Sequence, residues 1–171
     1  MDSIAGRVFR MPDNLTDNVD TDLILPGAYL RIPEHELGDY AFHGVLPGFR
    51  DRLAGRTVLV SGRNFGCGSS REQAPKALLG CGVRLIIAES FGNIFYRNCF
   101  NLGIVLVRVP GAASHPLFAD DVEVRADLAS GALHGPNGSL STEPLPNHLR
   151  SIVGAGGILT LLSRDPAALR R

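Results

Sequence analysis

Between residues 57 and 109 the chain alternates three apolar runs with two stretches of helical pattern, and that alternation limits the folds open to it. Thr57-Val58-Leu59-Val60-Ser61, Val83-Arg84-Leu85-Ile86-Ile87-Ala88 and Ile104-Val105-Leu106-Val107 are short and rich in β-branched residues. The second is apolar at almost every position, the pattern of a strand covered on both faces. Phe91, Ile94 and Phe95 stand at i, i+3 and i+4, the spacing of one helix face. Gly80-Cys81-Gly82 and Gly103 close the two helices, and Pro110 stops the third strand. Connections this short build a β-α-β-α-β unit with parallel strands and right-handed crossovers.

The flanks are irregular. A first strand is expected at 6–9, then a loop over 12–22, dense in Pro, Asn and Asp. Leu23-Ile24-Leu25 is a short apolar element stopped by Pro26-Gly27, and a weak helix over 34–42 ends at Gly44. Residues 45–55 read as a Pro/Gly loop. Val122-Glu123-Val124-Arg125 and Ala132-Leu133-His134 read as strands around Ser130-Gly131, with a turn at Gly135-Pro136-Asn137-Gly138. A short helix over 145–153 ends at Gly154, and Ile158-Leu159-Thr160-Leu161-Leu162 reads as a final strand. The expected fold class is α/β. It is one domain over 1–171 with its core at about 6–162, a flexible tail at 163–171, and β additions at both ends of the parallel centre.

Hydrophobic residues make up 44% of the chain, enough for a real core. Lys+Arg and Asp+Glu are both 17, so the whole-chain charge gives no basic footprint for nucleic acid. No apolar run is long enough to span a bilayer. Met1-Asp2-Ser3-Ile4-Ala5-Gly6-Arg7 lacks the order of a secretory signal. A cytoplasmic protein without nucleic-acid or membrane partners is expected.

Chemistry concentrates in Asn64-Phe65-Gly66-Cys67-Gly68-Ser69-Ser70-Arg71-Glu72-Gln73, between the first apolar run and the first helical stretch. The first N–H groups of a helix lack partners, and its dipole favours negative charge at the same end. Gly66 and Gly68 permit close backbone approach and unusual φ. Ser69 with Glu72, and Ser70 with Gln73, have capping-box spacing. Arg71 offers a planar fork to a carboxylate or phosphate. Pro75 makes the first turn irregular or is itself the first helical residue. The loop is expected to hold an anion; the plainer reading is a capped helix with glycines for the turn.

Other chemistries fit less well. Gly66-Cys67-Gly68 with Glu89 after the next strand is a partial dinucleotide fingerprint, with Arg71 where the third glycine belongs. The Gly-Lys-Ser/Thr ending of a phosphate P-loop is missing. Cys67, Cys81 and Cys99 form no C-x-x-C pair, although they could converge in space as Fe–S ligands. Cys67 sits at a helix start, where a thiol can act as a nucleophile. Asp13, Asp17, Asp20 and Asp22 suggest calcium, but the Gly and Glu of an EF-hand are absent. His35, His43, His115, His134 and His148 have no constellation around them.

The residues 64–75, ending Gln73-Ala74-Pro75, closely resemble the signature of the small subunits of 3-isopropylmalate dehydratases, the swivel domain of the aconitase superfamily. Asp17-Asn18-Val19-Asp20-Thr21-Asp22 resembles the family's Asp-Asn-Ile-Asp-Thr-Asp segment, with Thr16 where the family usually has Gly. Ser90-Phe91-Gly92-Asn93-Ile94-Phe95-Tyr96-Arg97-Asn98 resembles its Ser-Phe-Ala-x-Ile-Phe-x-Arg-Asn segment. The likeness covers most of the chain and is weakest over 111–141.

The resemblance implies a single β/β/α swivel domain working with a large subunit, which carries a 4Fe–4S cluster on its own cysteines. No metal or cofactor is expected on this chain. A small di- or tricarboxylic acid would lie between the subunits and undergo dehydration and rehydration in leucine biosynthesis. Matching the motif makes Ser69 the catalytic base, as an alkoxide. Ser70 and Arg71 would bind substrate carboxylate, with Gly68 in the substrate-binding loop. Arg31, in Tyr29-Leu30-Arg31-Ile32, stands where the family meets the variable substituent. An Arg there suits a second acidic group and a homoaconitase-type substrate, unless it turns to solvent.

Overall fold

The computed structural model describes residues 1–168 and has a mixed seven-stranded sheet at its centre. The strands are β1 (Ser3–Arg10), β2 (Val58–Val60), β3 (Leu85–Ala88), β4 (Val105–Arg108), β5 (Glu123–Asp127), β6 (Ala132–Gly135) and β7 (Gly138–Ser141). Their order across the sheet is β4-β3-β2-β1-β5-β6-β7. β2, β3 and β4 run parallel, with Val58 against Leu85 and Leu85 against Val105. All residues of β2 and β3 are buried, which is why they read as continuous apolar runs.

β1 joins two kinds of sheet. Val8, Phe9 and Arg10 pair in parallel with Val58, Leu59 and Val60. Ser3 to Arg7 pair antiparallel with Asp127 to Glu123. The β6–β7 hairpin closes with Gly135 opposite Gly138, as the Gly-Pro-Asn-Gly turn predicts. β7 itself, polar and mostly exposed, carries no sequence pattern of its own.

The helices are α1 (Thr21–Ile24), α2 (Phe49–Leu53), α3 (Gln73–Gly80), α4 (Asn93–Leu102), α5 (Asn147–Ala155) and α6 (Ile158–Arg164). α3 and α4 are the crossovers between the parallel strands. α4 stops at Gly103, in the left-handed region at φ +86°, as its sequence position predicts. Short 3₁₀ turns cover Gly27–Tyr29 and Glu34–Tyr40, so the weak helix expected at 34–42 is tighter than an α-helix.

Three expectations give way. Residues 45–55 contain α2, whose Phe49 and Leu53 are each 1% exposed. Their i, i+4 spacing was the available signal, and Phe49 packs edge-on against Phe9 and Phe42. The buried stripe of α4 is Phe95, Cys99 and Phe100, while Ile94 is 47% exposed; Phe91 lies just before the helix. The run 158–162 is helix α6, not a strand. A five-residue apolar run does not separate the two states by period, and Gly156 and Gly157 at positive φ turn the chain back onto α5 and α4. Of the C-terminal stretch expected to be a tail, Ser163 and Arg164 belong to α6, and 169–171 lie outside the described residues.

Candidate active site

The loops that leave the C-terminal ends of β1, β2 and β3 meet at one place. After β1 the chain turns through residues 11–20 and lies alongside residues 61–68. Gly62 and Gly66 donate backbone N–H groups to the Thr16 and Val19 carbonyls (3.0 and 2.7 Å), and Asn18 and Thr21 donate theirs to Arg63 and Cys67 (2.8 Å each). Side chains add to this ladder. Asp17 accepts from the Arg63 backbone N–H (2.7 Å) and from its guanidinium (3.1 and 3.0 Å). These bonds, the Arg63 N–H first, hold the Asp17 carboxyl below its ordinary range. Asn64 Nδ2 donates to Asn18 Oδ1 (3.0 Å).

The loop after β3 closes the other side. Ser90 accepts the Asn64 N–H with its hydroxyl (2.8 Å) and the Phe65 N–H with its carbonyl (3.0 Å). The Gly92 N–H returns to the Phe65 carbonyl (2.9 Å). Gly66 has φ +73°, and a Cβ there would sit 2.1 Å from the Phe95 ring. Only glycine fits, both for backbone conformation and for space. The three segments that carry the family resemblance are therefore one hydrogen-bonded unit.

This unit presents Gly68, Ser69 and Ser70 at the surface, with Arg71 half-buried. α3 begins after them, with Glu72 at its N-cap and no side-chain cap. The expected capping boxes do not form. Ser69 Oγ lies 3.0 Å from Thr21 Oγ1, and the Ser69 N–H donates to that same oxygen (3.2 Å). A tertiary partner, Thr21, has taken the hydroxyl that local spacing assigned to the helix. Pro75 falls inside the first turn, where its missing N–H has no carbonyl to meet. Among the described residues, no protein acceptor meets the N–H of Ser70, Arg71 or Glu72. Two exposed serines, unpaired N–H groups and a guanidinium thus follow one another at the start of α3, the donor types an anion site uses.

Arg71 forms an ion pair with Asp22 of α1, which sequence reasoning left without a role. Gly68 has φ +95° and stands against Asp20 and Thr21. Cys67, beside the serines, is pushed up from the ordinary thiol value by burial and then by the Asp20 charge, so it is a neutral thiol at neutral pH. Arg31 is exposed in the turn after Tyr29, and no ion pair or hydrogen bond holds it among the described residues. Gly68, Ser69, Ser70 and Arg71 follow one another in this loop, and among the described residues Arg31 makes no hydrogen bond or ion pair with them.

The remaining candidates are accounted for. Asp20 caps α1 by accepting the Leu23 N–H (2.7 Å). Among the described residues no three His, Cys, Asp or Glu side chains gather as metal ligands, so the three cysteines do not converge. Cys99 is fully buried in α4, and Cys81, pushed up to about 12 by burial, donates to the Gly38 carbonyl. Glu89 accepts the Gly111 N–H (3.1 Å). No described helix is long and apolar enough to cross a membrane.

Comparison with known proteins points to one family throughout. Residues 42–112 match the model of the aconitase C-terminal domain. The methanogen homoaconitase small subunit of Methanothermobacter thermautotrophicus is 42% identical over 91% of this chain and 88% of its own. The 3-isopropylmalate dehydratase small subunit 1 of Methanopyrus kandleri is 39% identical over 96% and 95%. The isopropylmalate/citramalate isomerase small subunit of Methanocaldococcus jannaschii is 37% identical over 96% of each. A crystal structure of 3-isopropylmalate dehydratase from Methanocaldococcus jannaschii superposes with a TM-score of 0.82 at 34% identity, covering 98% of both chains.

Proposed function

This chain belongs to the family of aconitase-type dehydratase small subunits, and on that premise we propose that it interconverts 2-isopropylmalate and 3-isopropylmalate together with a large subunit. Its relatives are named as dehydratase and isomerase small subunits, which supports reading the glycine loop with theirs rather than with dinucleotide folds. One observation carries the reading. An exposed serine hydroxyl, Ser69, sits among unpaired N–H donors with Arg71 alongside.

Ser69 Oγ, as the alkoxide, takes the proton from the substrate carbon beside a carboxylate. The hydroxyl on the neighbouring carbon leaves as the alkene forms. Rehydration reverses both events with the two carbons exchanged. A serine alkoxide is very unfavourable in water, and fixed donors with a nearby cation lower its cost. Ser70 Oγ and the Arg71 guanidinium hold the carboxylate, and Gly68 leaves room for it. A bound carboxylate competes with Asp22 for Arg71, so the ion pair keeps the guanidinium oriented between turnovers. A 4Fe–4S cluster on the large subunit would supply a Lewis acid for the departing hydroxyl. The substrate lies between the subunits, in the cytoplasm.

Arg31 favours a second reading, a homoaconitase-type substrate with an extra carboxylate. It is exposed and unpaired among the described residues, and one relative is named as a homoaconitase subunit. An anaerobic assay with the cluster-loaded large subunit, following alkene absorbance with 2-isopropylmalate and with homocitrate, separates the two. Turnover of isopropylmalate alone supports the first reading and leaves Arg31 in solvent. Turnover of homocitrate, lost in Arg31→Ala, supports the second.

A further inference from the structure

We propose that Thr21 is a positioning residue for Ser69: its buried hydroxyl accepts the Ser69 N–H, donates its own proton to Ser69 Oγ, and so lowers the cost of deprotonating Ser69. This rests on the reading of Ser69 as the base. Among the described residues the buried polar side chains are Thr21 and Ser61, and Thr21 is 1% exposed. Ser61 is accounted for, since its hydroxyl donates to the Thr16 carbonyl (2.8 Å). Among the described residues the Thr21 hydroxyl meets only Ser69, through two contacts of 3.0 and 3.2 Å.

Counting protons settles the direction. A backbone N–H can only donate, so Thr21 Oγ1 accepts from Ser69 N. Thr21 has one hydroxyl proton, and its recorded partner is Ser69 Oγ. If Ser69 donated instead, the Thr21 proton would be buried with no acceptor, which is costly. The favoured arrangement makes Ser69 Oγ an acceptor and leaves its own proton free to point outward. Once that proton is lost, the Thr21 bond becomes charge-assisted and roughly doubles in strength.

The donor is rigidly placed. Thr21 is the first residue of α1, its N–H donates to the Cys67 carbonyl (2.8 Å), and its carbonyl accepts the Leu25 N–H (3.0 Å). Gly68 stands next to Thr21, with φ +95°, a backbone conformation that favours glycine. Asp20 at the cap of α1 and Asp22 within it, with Cys67 and Arg71 from the opposite loop, are titratable or charged groups close to the pair. All four remain when only Thr21 is changed.

The test places a reporter at the site. In the full-length Ser69→Cys chain, alkylation of residue 69 by iodoacetamide is followed against pH by fragment mass spectrometry, which separates it from Cys67. Thr21→Val should raise the apparent thiol pKa by about one unit, a tenfold change, and Thr21→Ser should leave it near the parent. Thr21→Ala replaces Thr21→Val if the latter does not fold. In the assembled enzyme with Ser69 intact, Thr21→Val should lower kcat about tenfold or more, with KM within about twofold, and move the acidic limb of the pH profile upward. Thr21→Ser should restore both. An unchanged thiol pKa overturns the proposal. Equal loss in Thr21→Ser and Thr21→Val reduces Thr21 to packing and also overturns it. A shifted thiol with unaltered turnover would confirm the hydrogen bond but remove Ser69 as base, the reading beneath.

Discussion

The two halves of β1 lead into opposite kinds of structure. On one side Val8 to Arg10 start a parallel sheet, and the loops beyond its strands are stitched across long sequence separations: 17–22 to 62–69, and 64–65 to 90–92. On the other side Ser3 to Arg7 start an antiparallel sheet whose later strands follow one another through tight turns. The candidate chemistry lies wholly on the first side. Loops at the C-terminal ends of parallel strands leave in one direction and can be pinned to each other. Hairpin loops close on themselves and bring no distant residue to a common point. Changes on the parallel side should therefore cost function, while equally sized changes on the antiparallel side should cost only stability.

The sharpest contrast comes from Ser69→Ala. It should lower kcat about 10²–10⁴-fold without altering co-purification with the large subunit, because it removes one exposed oxygen. Turnover at the parent rate would end the base assignment. Gly66→Ala should destabilise by about 3 kcal/mol, read as a lowered thermal midpoint, since its methyl meets Phe95 at a positive φ. Arg71→Lys keeps the charge but loses the planar fork, and kcat/KM should fall about tenfold to hundredfold.

On the antiparallel side, Leu140→Ala in β7 should cost about 1 kcal/mol of stability and leave kcat unchanged. A clear fall in kcat would break the division between the halves. Back on the parallel side, but at the outer edge of the loop ladder, Asp17→Asn should be smallest, about 0.5 kcal/mol, because the Asp17–Arg63 pair is largely in solvent. Its sign is testable. The folded Asp17 carboxyl lies below its unfolded value, so its contribution is complete above the ordinary carboxylate range and disappears as pH falls through the lowered value. The stability difference between wild type and Asp17→Asn should therefore shrink in acid, by denaturant titration at several pH values.

Much of the frame could be read from the chain. Val83 to Ala88 declared a doubly covered strand, Gly103 a helix end, and Gly-Pro-Asn-Gly a turn, because each is a local steric or burial rule. The glycine loop pointed to an anion site for the same reason. Local rules also misled: they assigned Ile158 to Leu162 to a strand, Ile94 to a core face, and Ser69 to a helix cap. Neighbouring residues alone could not decide any of these. α6 follows from packing against α5 and α4, and Ser69 Oγ goes to Thr21 rather than to α3.

By itself the sequence determined the parallel β-α-β-α-β centre, the glycine loop with Ser69, Ser70 and Arg71, and the family resemblance. Periodicity, φ preference and motif spacing all act within a few residues. Only the tertiary structure decided that Thr21 and Asp22 stand against Ser69 and Arg71. Those are contacts between segments dozens of residues apart. They exist because β1 and β2 are neighbours in the sheet, so the loops that leave their ends run side by side.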